Sequence, residues 1–149
     1  MEYIMAIITI TISIVSVILA GLSLKQAKKS SKQSNENAER IAQISIQQIQ
    51  SQTFSDFSSR YQEICKNLQN DDNKIWYQQK YLDLCRDEFV SNKQGNLTKE
   101  AWEMFVERMR LTVKQNPSFS TVWKSYAQAF DQDFVTFFNN EIFRKTGLL

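Results

Sequence analysis

The sequence predicts an all-α protein with a single N-terminal transmembrane helix, which extends into a long juxtamembrane helix and is followed by a cytosolic helical bundle. The 149 residues include only 3 Gly and 1 Pro, and β-branched alternation is absent outside the first apolar segment. That first segment is long and uncharged. We therefore expect a transmembrane helix over residues 3–24, a helical stalk over 25–52 and a helical domain over 53–149.

The transmembrane prediction rests on the stretch between Glu2 and Lys25, which contains no charged side chain. A helix rises 1.5 Å per residue, so this stretch spans about 33 Å, which matches a hydrocarbon core of roughly 30 Å. A cleaved signal peptide fits less well, because the apolar stretch is too long and Glu2, rather than Lys or Arg, precedes it.

Small and hydroxylated residues form a stripe along this helix at alternating spacings of three and four. The stripe is Ala6, Thr9, Ser13, Ser16, Ala20 and Ser23, and the opposite, lipid-suited face is Ile8, Ile12, Val15, Leu19 and Leu22. Helices that meet in a membrane prefer small residues at their contact. The stripe therefore favours a homo-oligomer in which it packs or lines a pore. The alternative is a plain anchor, whose hydroxyl groups bond to their own backbone.

Basic residues follow the helix directly and predict its orientation. They are Lys25, Lys28, Lys29 and Lys32, whereas the N-terminal flank has no basic side chain. Positive charge stays on the cytoplasmic side, so we expect an inner-membrane protein with its N-terminus outside and the remaining chain in the cytoplasm. The same lysines can contact anionic lipid head groups.

The predicted stalk continues the spacing of the membrane stripe. Its members are Ala27, Ser30, Ser34, Asn37, Ile41 and Ile44. A period of 3.5 is typical of a coiled coil, here with a polar upper and an apolar lower half. We expect one long helix running out of the bilayer; a flexible Ser-, Gln- and Asn-rich linker is the alternative.

Three further apolar patterns predict helices in the domain. The first buries Phe54, Phe57, Tyr61, Ile64, Cys65 and Leu68 and ends near Asn70; the second, over 73–91, buries Trp76, Tyr77, Tyr81, Leu84, Cys85 and Phe89; the third buries Trp102, Phe105, Val106, Met109 and Val113. Thr98 suits the N-cap of the third helix, and Asn116-Pro117 ends it.

Two aromatic-rich helices are expected after Pro117. Ser120 can cap the first, which buries Val122, Trp123, Tyr126 and Phe130, and Asp131 can open the last, which carries Phe134, Phe137, Phe138, Ile142 and Phe143. The aromatic side chains supply enough area for a compact helical core.

Charge and composition argue against nucleic-acid binding and catalysis. From Phe54 onward 13 basic residues balance 13 acidic ones, whereas nucleic-acid-binding domains carry a basic surplus. The chain has no His and only three Gly, so it lacks His-dependent acid–base groups and a phosphate-cradling loop. We expect no cofactor, no metal and no enzyme activity.

Several side chains bear on this expectation. The carboxylates Glu103, Glu107, Asp83, Asp87 and Glu88 could hold a divalent ion between helices. Solvated pairs such as Glu103–Arg110 or Asp83–Arg86 are the preferred interpretation. We expect Cys65 and Cys85 to be buried, reduced thiols.

Part of the domain resembles a known pattern. The segments YLDLCRDEF at 81–89 and GNLT at 95–98, with Trp102, Pro117 and Trp123, resemble small single-pass bacterial membrane proteins of a helical domain-of-unknown-function family. The overall plan is similar to the pore-forming accessory membrane proteins of RNA-targeting CRISPR systems. The resemblance covers roughly residues 55–130 and implies an antiviral, membrane-perturbing effector. It assigns no functional residue, and the missing histidine departs from the Arg-x4–6-His ribonuclease signature.

The sequence thus predicts a non-enzymatic, membrane-anchored homo-oligomer that acts as an effector or pore. A membrane-tethered adaptor, whose helical domain binds a cytosolic protein, is the alternative.

Overall fold

The computed structural model describes residues 2–68 and 73–147, with side chains for Tyr3, 16–68 and 73–147. Every regular element in these ranges is helical, which confirms the all-α prediction. The helices are α1 (Glu2–Asn67), α2 (Lys74–Lys93), α3 (Lys99–Gln115), α4 (Phe119–Tyr126), a 3-10 turn (Ala127–Ala129), α5 (Gln132–Phe137), a π-helix (Phe138–Phe143) and α6 (Arg144–Thr146).

The chain divides into two units between Ser45 and Ile46. The first unit is the N-terminal part of α1, and all its described side chains are exposed. The second unit comprises the rest of α1 together with α2–α6 and contains the hydrophobic core.

The structure bears on the membrane prediction in one respect. Among the described residues, no helical stretch has the length and apolarity needed to cross a bilayer. The side chains of 4–15, which form more than half of the predicted transmembrane segment, lie outside the described residues.

The core of the second unit is largely aromatic. Around Trp123 lie Phe130 (5.9 Å between ring centroids), Phe134 (6.0 Å), Phe138 (4.7 Å) and Phe143 (5.8 Å). Full burial of one phenylalanine side chain is worth about 1.5–3 kcal/mol. Aromatic packing therefore joins the C-terminal helices to one another, and contacts of Phe137 with Phe89 and Trp102 extend it to α2 and α3.

Two helix starts follow the sequence prediction and one does not. The Thr98 hydroxyl accepts from the Ala101 N–H at 3.2 Å, and the Asp131 carboxylate accepts from the Phe134 N–H at 3.0 Å, so both caps are confirmed. The prediction that Ser120 caps a helix is wrong. That residue lies inside α4, and its hydroxyl donates to the Pro117 carbonyl at 2.9 Å.

Some predicted limits and buried positions also differ. The first domain helix ends at Asn67, and α2 continues to Lys93. Phe54 is 37% exposed and Trp76 is 51% exposed, so neither is a core residue. Each is the first residue of its predicted apolar face along the chain, where helical periodicity does not determine how far the neighbouring helix reaches.

The π-helix is held from two sides. Arg110 donates from Nε to the Glu141 carbonyl at 2.9 Å and from Nη2 to the Glu141 carboxylate at 3.1 Å. Trp123 Nε1 donates to Asn139 Oδ1 at 2.8 Å. A π-helix widens the turn and changes its side-chain phase, and these bonds fix that wider turn against α3 and α4.

Candidate functional site

Helix α1 contains every residue of the predicted membrane stripe. The side chains of Ala6, Thr9 and Ser13 lie outside the described residues, whereas Ser16, Ala20 and Ser23 are exposed. The lysines that follow, Lys25, Lys28, Lys29 and Lys32, are exposed as well. Their contact with lipid stays a prediction.

The stalk residues with the same spacing also lie on the surface of the first unit. Ala27, Ser30, Ser34, Asn37, Ile41 and Ile44 are all exposed. Ile41 is 65% exposed and Ile44 is 49% exposed. Two large aliphatic side chains three residues apart on an exposed helix face, as at the a and d positions of a heptad, are typical of a helix that packs against a partner.

A second exposed apolar feature lies within the second unit, between α1 and the start of α3. It is a groove of about 450 Å³ lined by Gln47, Gln50, Ser51, Phe54, Thr98, Glu100, Ala101 and Met104. The Phe54 ring stacks on Phe105 at 5.5 Å, while Met104 is 47% exposed. The sequence did not predict this groove, because Phe54 was expected to be fully covered.

A polar pair of the second unit, which the sequence did not predict, joins the buried Glu88 to the part-buried Arg108. Arg108 Nη2 donates to the Glu88 carboxyl group, and Glu88 is only 1% exposed. The Arg108 guanidinium carbon lies 4.0 Å from the Tyr61 ring centroid and 4.4 Å from that of Phe105. The charge of Arg108 is therefore stabilised by two aromatic faces as well as by Glu88.

Burial dominates the titration of Glu88. It raises the pKa of the carboxyl group to about 8, against the opposing influence of Arg108 and Arg60. Such a perturbed acid is a candidate for proton transfer when it faces a cleft. Glu88 is almost completely inaccessible and faces no cleft, and its bond to Arg108 joins α2 to α3.

The other carboxylates that could hold a divalent ion have different partners from those expected. Glu103 lies 3.8 Å from Lys99, and Glu107 lies 3.3 Å from Arg110. Arg86 pairs with its neighbour Asp87 at 3.3 Å, rather than with Asp83. Across the described part of the chain, no three His, Cys, Asp or Glu side chains gather as a metal site.

The two cysteines have different environments. Both are free thiols; Cys85 is buried, but Cys65 is only half-buried, so the expectation for Cys65 needs correction. Burial raises the pKa of the Cys85 thiol well above its usual range. Since the thiolate is the reactive form, Cys85 is a packing residue.

Comparison with known proteins adds no relative to this description. No protein-family model matches the sequence, and no significant match is found among curated proteins or solved structures.

We predict that Glu88 makes the stability of the second unit fall with rising pH. Between the ordinary glutamate pKa and about 8, the folded state keeps a proton that the unfolded state has lost. The free energy of unfolding therefore decreases across this pH window, by at most about 1.4 kcal/mol per pH unit. The stabilisation that Glu88 provides is fully present only at pH values below the window.

Chemical unfolding of the full chain in detergent, followed by tryptophan fluorescence from pH 4 to 9, checks this prediction. The Glu88→Gln variant keeps a hydrogen-bond acceptor but does not titrate, so its profile should be flatter than that of the wild type. The charged groups nearest Glu88 are Arg108, Arg60 and Asp87, and Asp87→Asn is the matched control. Identical profiles for wild type and Glu88→Gln would contradict the assignment.

Proposed function

We propose that the chain is a single-pass membrane protein that assembles into a parallel homo-oligomer through α1 and acts as a non-enzymatic membrane effector. The observation that carries the proposal is the alternating spacing of three and four residues, which runs without interruption from Ala6 to Ile44. All of these positions belong to one helix, and every described member is exposed.

The anchor follows from the uncharged stretch over residues 3–24 and the lysines after it. Transfer of apolar side chains into lipid favours insertion of such a stretch, while the lysines keep the following residues on the cytoplasmic side. Every copy then crosses the membrane in the same direction. Copies that associate along α1 are therefore parallel.

Two kinds of contact support association along this helix. Inside the membrane, small residues permit close approach of two backbones. Outside it, Ile41 and Ile44 supply apolar side chains that one copy leaves 65% and 49% exposed. Burial of such a side chain is worth up to about 1.5–3 kcal/mol.

The effector role has two versions, which differ in what the membrane stripe faces. The stripe either packs between helices or lines a water-filled pore, where its hydroxyl groups replace water that a passing ion has lost. We extend the proposal to antiviral defence on the resemblance to CRISPR accessory membrane proteins alone.

The second candidate function is a membrane-tethered adaptor, favoured by an exposed aromatic patch at the start of α2. Ile75 is 65% exposed and Trp76 is 51% exposed, and Lys80 Nζ lies 5.2 Å from the Trp76 ring centroid. Tryptophan is enriched among the residues that dominate protein–protein binding energy. A monomeric particle in detergent would favour this adaptor over the oligomeric effector.

The topology can be tested with reporters. A cytoplasm-active reporter fused after the C-terminus should be active, and a membrane-impermeant maleimide should not label Cys65 in intact cells, because the lysines hold the domain inside. Labelling of Cys65 after membrane permeabilisation is the control. Activity of a periplasm-dependent reporter at the same position would overturn the orientation.

Association through the stalk can be tested by particle mass in nanodiscs. Ile41→Glu together with Ile44→Glu should reduce the mass toward that of a monomer, since two charges would be buried at the contact. Gln43→Glu, an exposed position on the other side of the helix, adds charge without touching the stripe and should leave the mass unchanged. Equal masses for both variants would argue against the stalk contact.

The pore version predicts ion leakage from liposomes that contain the protein. Ser13→Leu or Ser16→Leu should abolish the leak while the oligomer mass is kept, because leucine narrows and dries the lumen. In the packing version the same variants reduce the mass, since the bulkier side chain separates the two backbones. Interhelical hydrogen bonds average only about 0.6 kcal/mol, so close approach of the backbones dominates this contact. Ile12→Leu on the opposite face is the control. If neither leak nor mass responds, the helix is a plain anchor.

A further inference from the structure

We propose that Asn37 of α1 pairs with Asn37 of a neighbouring copy and thereby determines which helix faces meet in the stalk. The proposal rests on the parallel self-association proposed above and assigns its specificity to one residue. It concerns the first unit alone, because Asn37, Ile41 and Ile44 all precede Ile46.

Asn37 lies on the exposed aliphatic face of the stalk. It is exposed, and it precedes Ile41 by four residues and Ile44 by seven. At about 100° per residue, the three side chains project within roughly 60° of one another, with Asn37 between the two isoleucines. A contact that buries Ile41 and Ile44 therefore buries the Asn37 amide as well.

The charged residues of the stalk all lie away from this face. Between residues 25 and 45 there are seven, namely Lys25, Lys28, Lys29, Lys32, Glu36, Glu39 and Arg40. At about 100° per residue they project within an arc of roughly 120°, which leaves the side with Asn37, Ile41 and Ile44 free of charge. Lys32 and Glu36 pair within that arc at 3.8 Å. The same uncharged face of a second copy matches this side, since no ion is buried when the two meet.

The membrane anchor brings the same residue of each copy to the same level. Every copy of the proposed oligomer crosses the bilayer in the same direction, and the uncharged stretch that ends before Lys25 fixes its depth. Asn37 of one copy therefore lies at the height of Asn37 of the next. An asparagine amide contains both donors and an acceptor, so two such groups can bond to each other.

The serines of the same face have a local alternative. A serine hydroxyl can bond to the carbonyl four residues earlier, as Ser45 does to Ile41 at 3.0 Å, so Ser30 and Ser34 need no partner from another copy. The Asn37 amide carries two donors and an acceptor, and one local bond leaves the others unsatisfied. Helix rotations that bury this amide against aliphatic side chains are therefore disfavoured, whereas the rotation that pairs two amides is selected.

Replacement of Asn37 by leucine separates specificity from stability. Because leucine adds apolar area and removes the amide, Asn37→Leu should give oligomers of more than one mass in detergent, which dissociate several-fold more slowly than the wild type. Asn35→Leu is the matched control, since Asn35 is also exposed and lies about 160° around the helix from Asn37. It should keep the single mass and the dissociation rate of the wild type.

Particle mass and the rate of subunit exchange distinguish the outcomes. Identical behaviour of the two leucine variants would overturn the pairing. A loss of mass confined to Asn37→Leu would overturn it too, because the amide would then supply stability rather than selection.

Disulfide trapping measures the contact directly. Asn37→Cys and Asn35→Cys are compared in isolated, oxidised membranes, both with Cys65→Ser, while Cys85 stays buried. A disulfide requires the two Cα atoms to approach within about 7 Å, so we expect a cross-linked dimer several-fold stronger for position 37 than for position 35. An oligomeric wild type with no dimer at position 37 would overturn the pairing and leave the self-association intact. A monomeric wild type would overturn both.

Discussion

One guanidinium group links three helices of the second unit. Arg108 lies on α3, bonds to Glu88 of α2 and packs against the Tyr61 ring of α1. A single side chain thus joins three helices. Removal of either partner leaves the other without its bond, and an unsatisfied buried polar group typically costs about 1–3 kcal/mol.

Helix α3 repeats this arrangement toward the C-terminus with a different arginine. Arg110 bonds to both the carbonyl and the carboxylate of Glu141 in the π-helix. The bond of Trp123 to Asn139 adds a second directional contact to the π-helix, and the packed phenylalanines around it add apolar burial. Directional polar bonds favour one packing of these helices, while aromatic burial, which is non-directional, stabilises it.

The sequence predicted features that depend on neighbouring residues and missed those that depend on distant ones. The caps at Thr98 and Asp131 were found because each bonds to a backbone N–H three residues later. The sequence favours a solvated face for Glu88, because its partner lies 20 residues away on another helix and has no local signal. Periodicity predicts a core position for Trp76, which is exposed. It identifies an apolar helix face but not how much of that face a neighbouring helix covers.

The same limit applies to the candidate surface of α1. Spacing alone identified the stripe from Ala6 to Ile44, but it could not identify the groove, which exists only because the start of α3 lies beside α1. The small residues of the stripe bury little area, so they permit two helices to approach closely but contribute little to the stability of the contact. The four isoleucines between 41 and 49, each about half or more exposed, contain most of the apolar area that remains available on this part of the helix. In the proposed oligomer, association outside the membrane would therefore depend on this short segment.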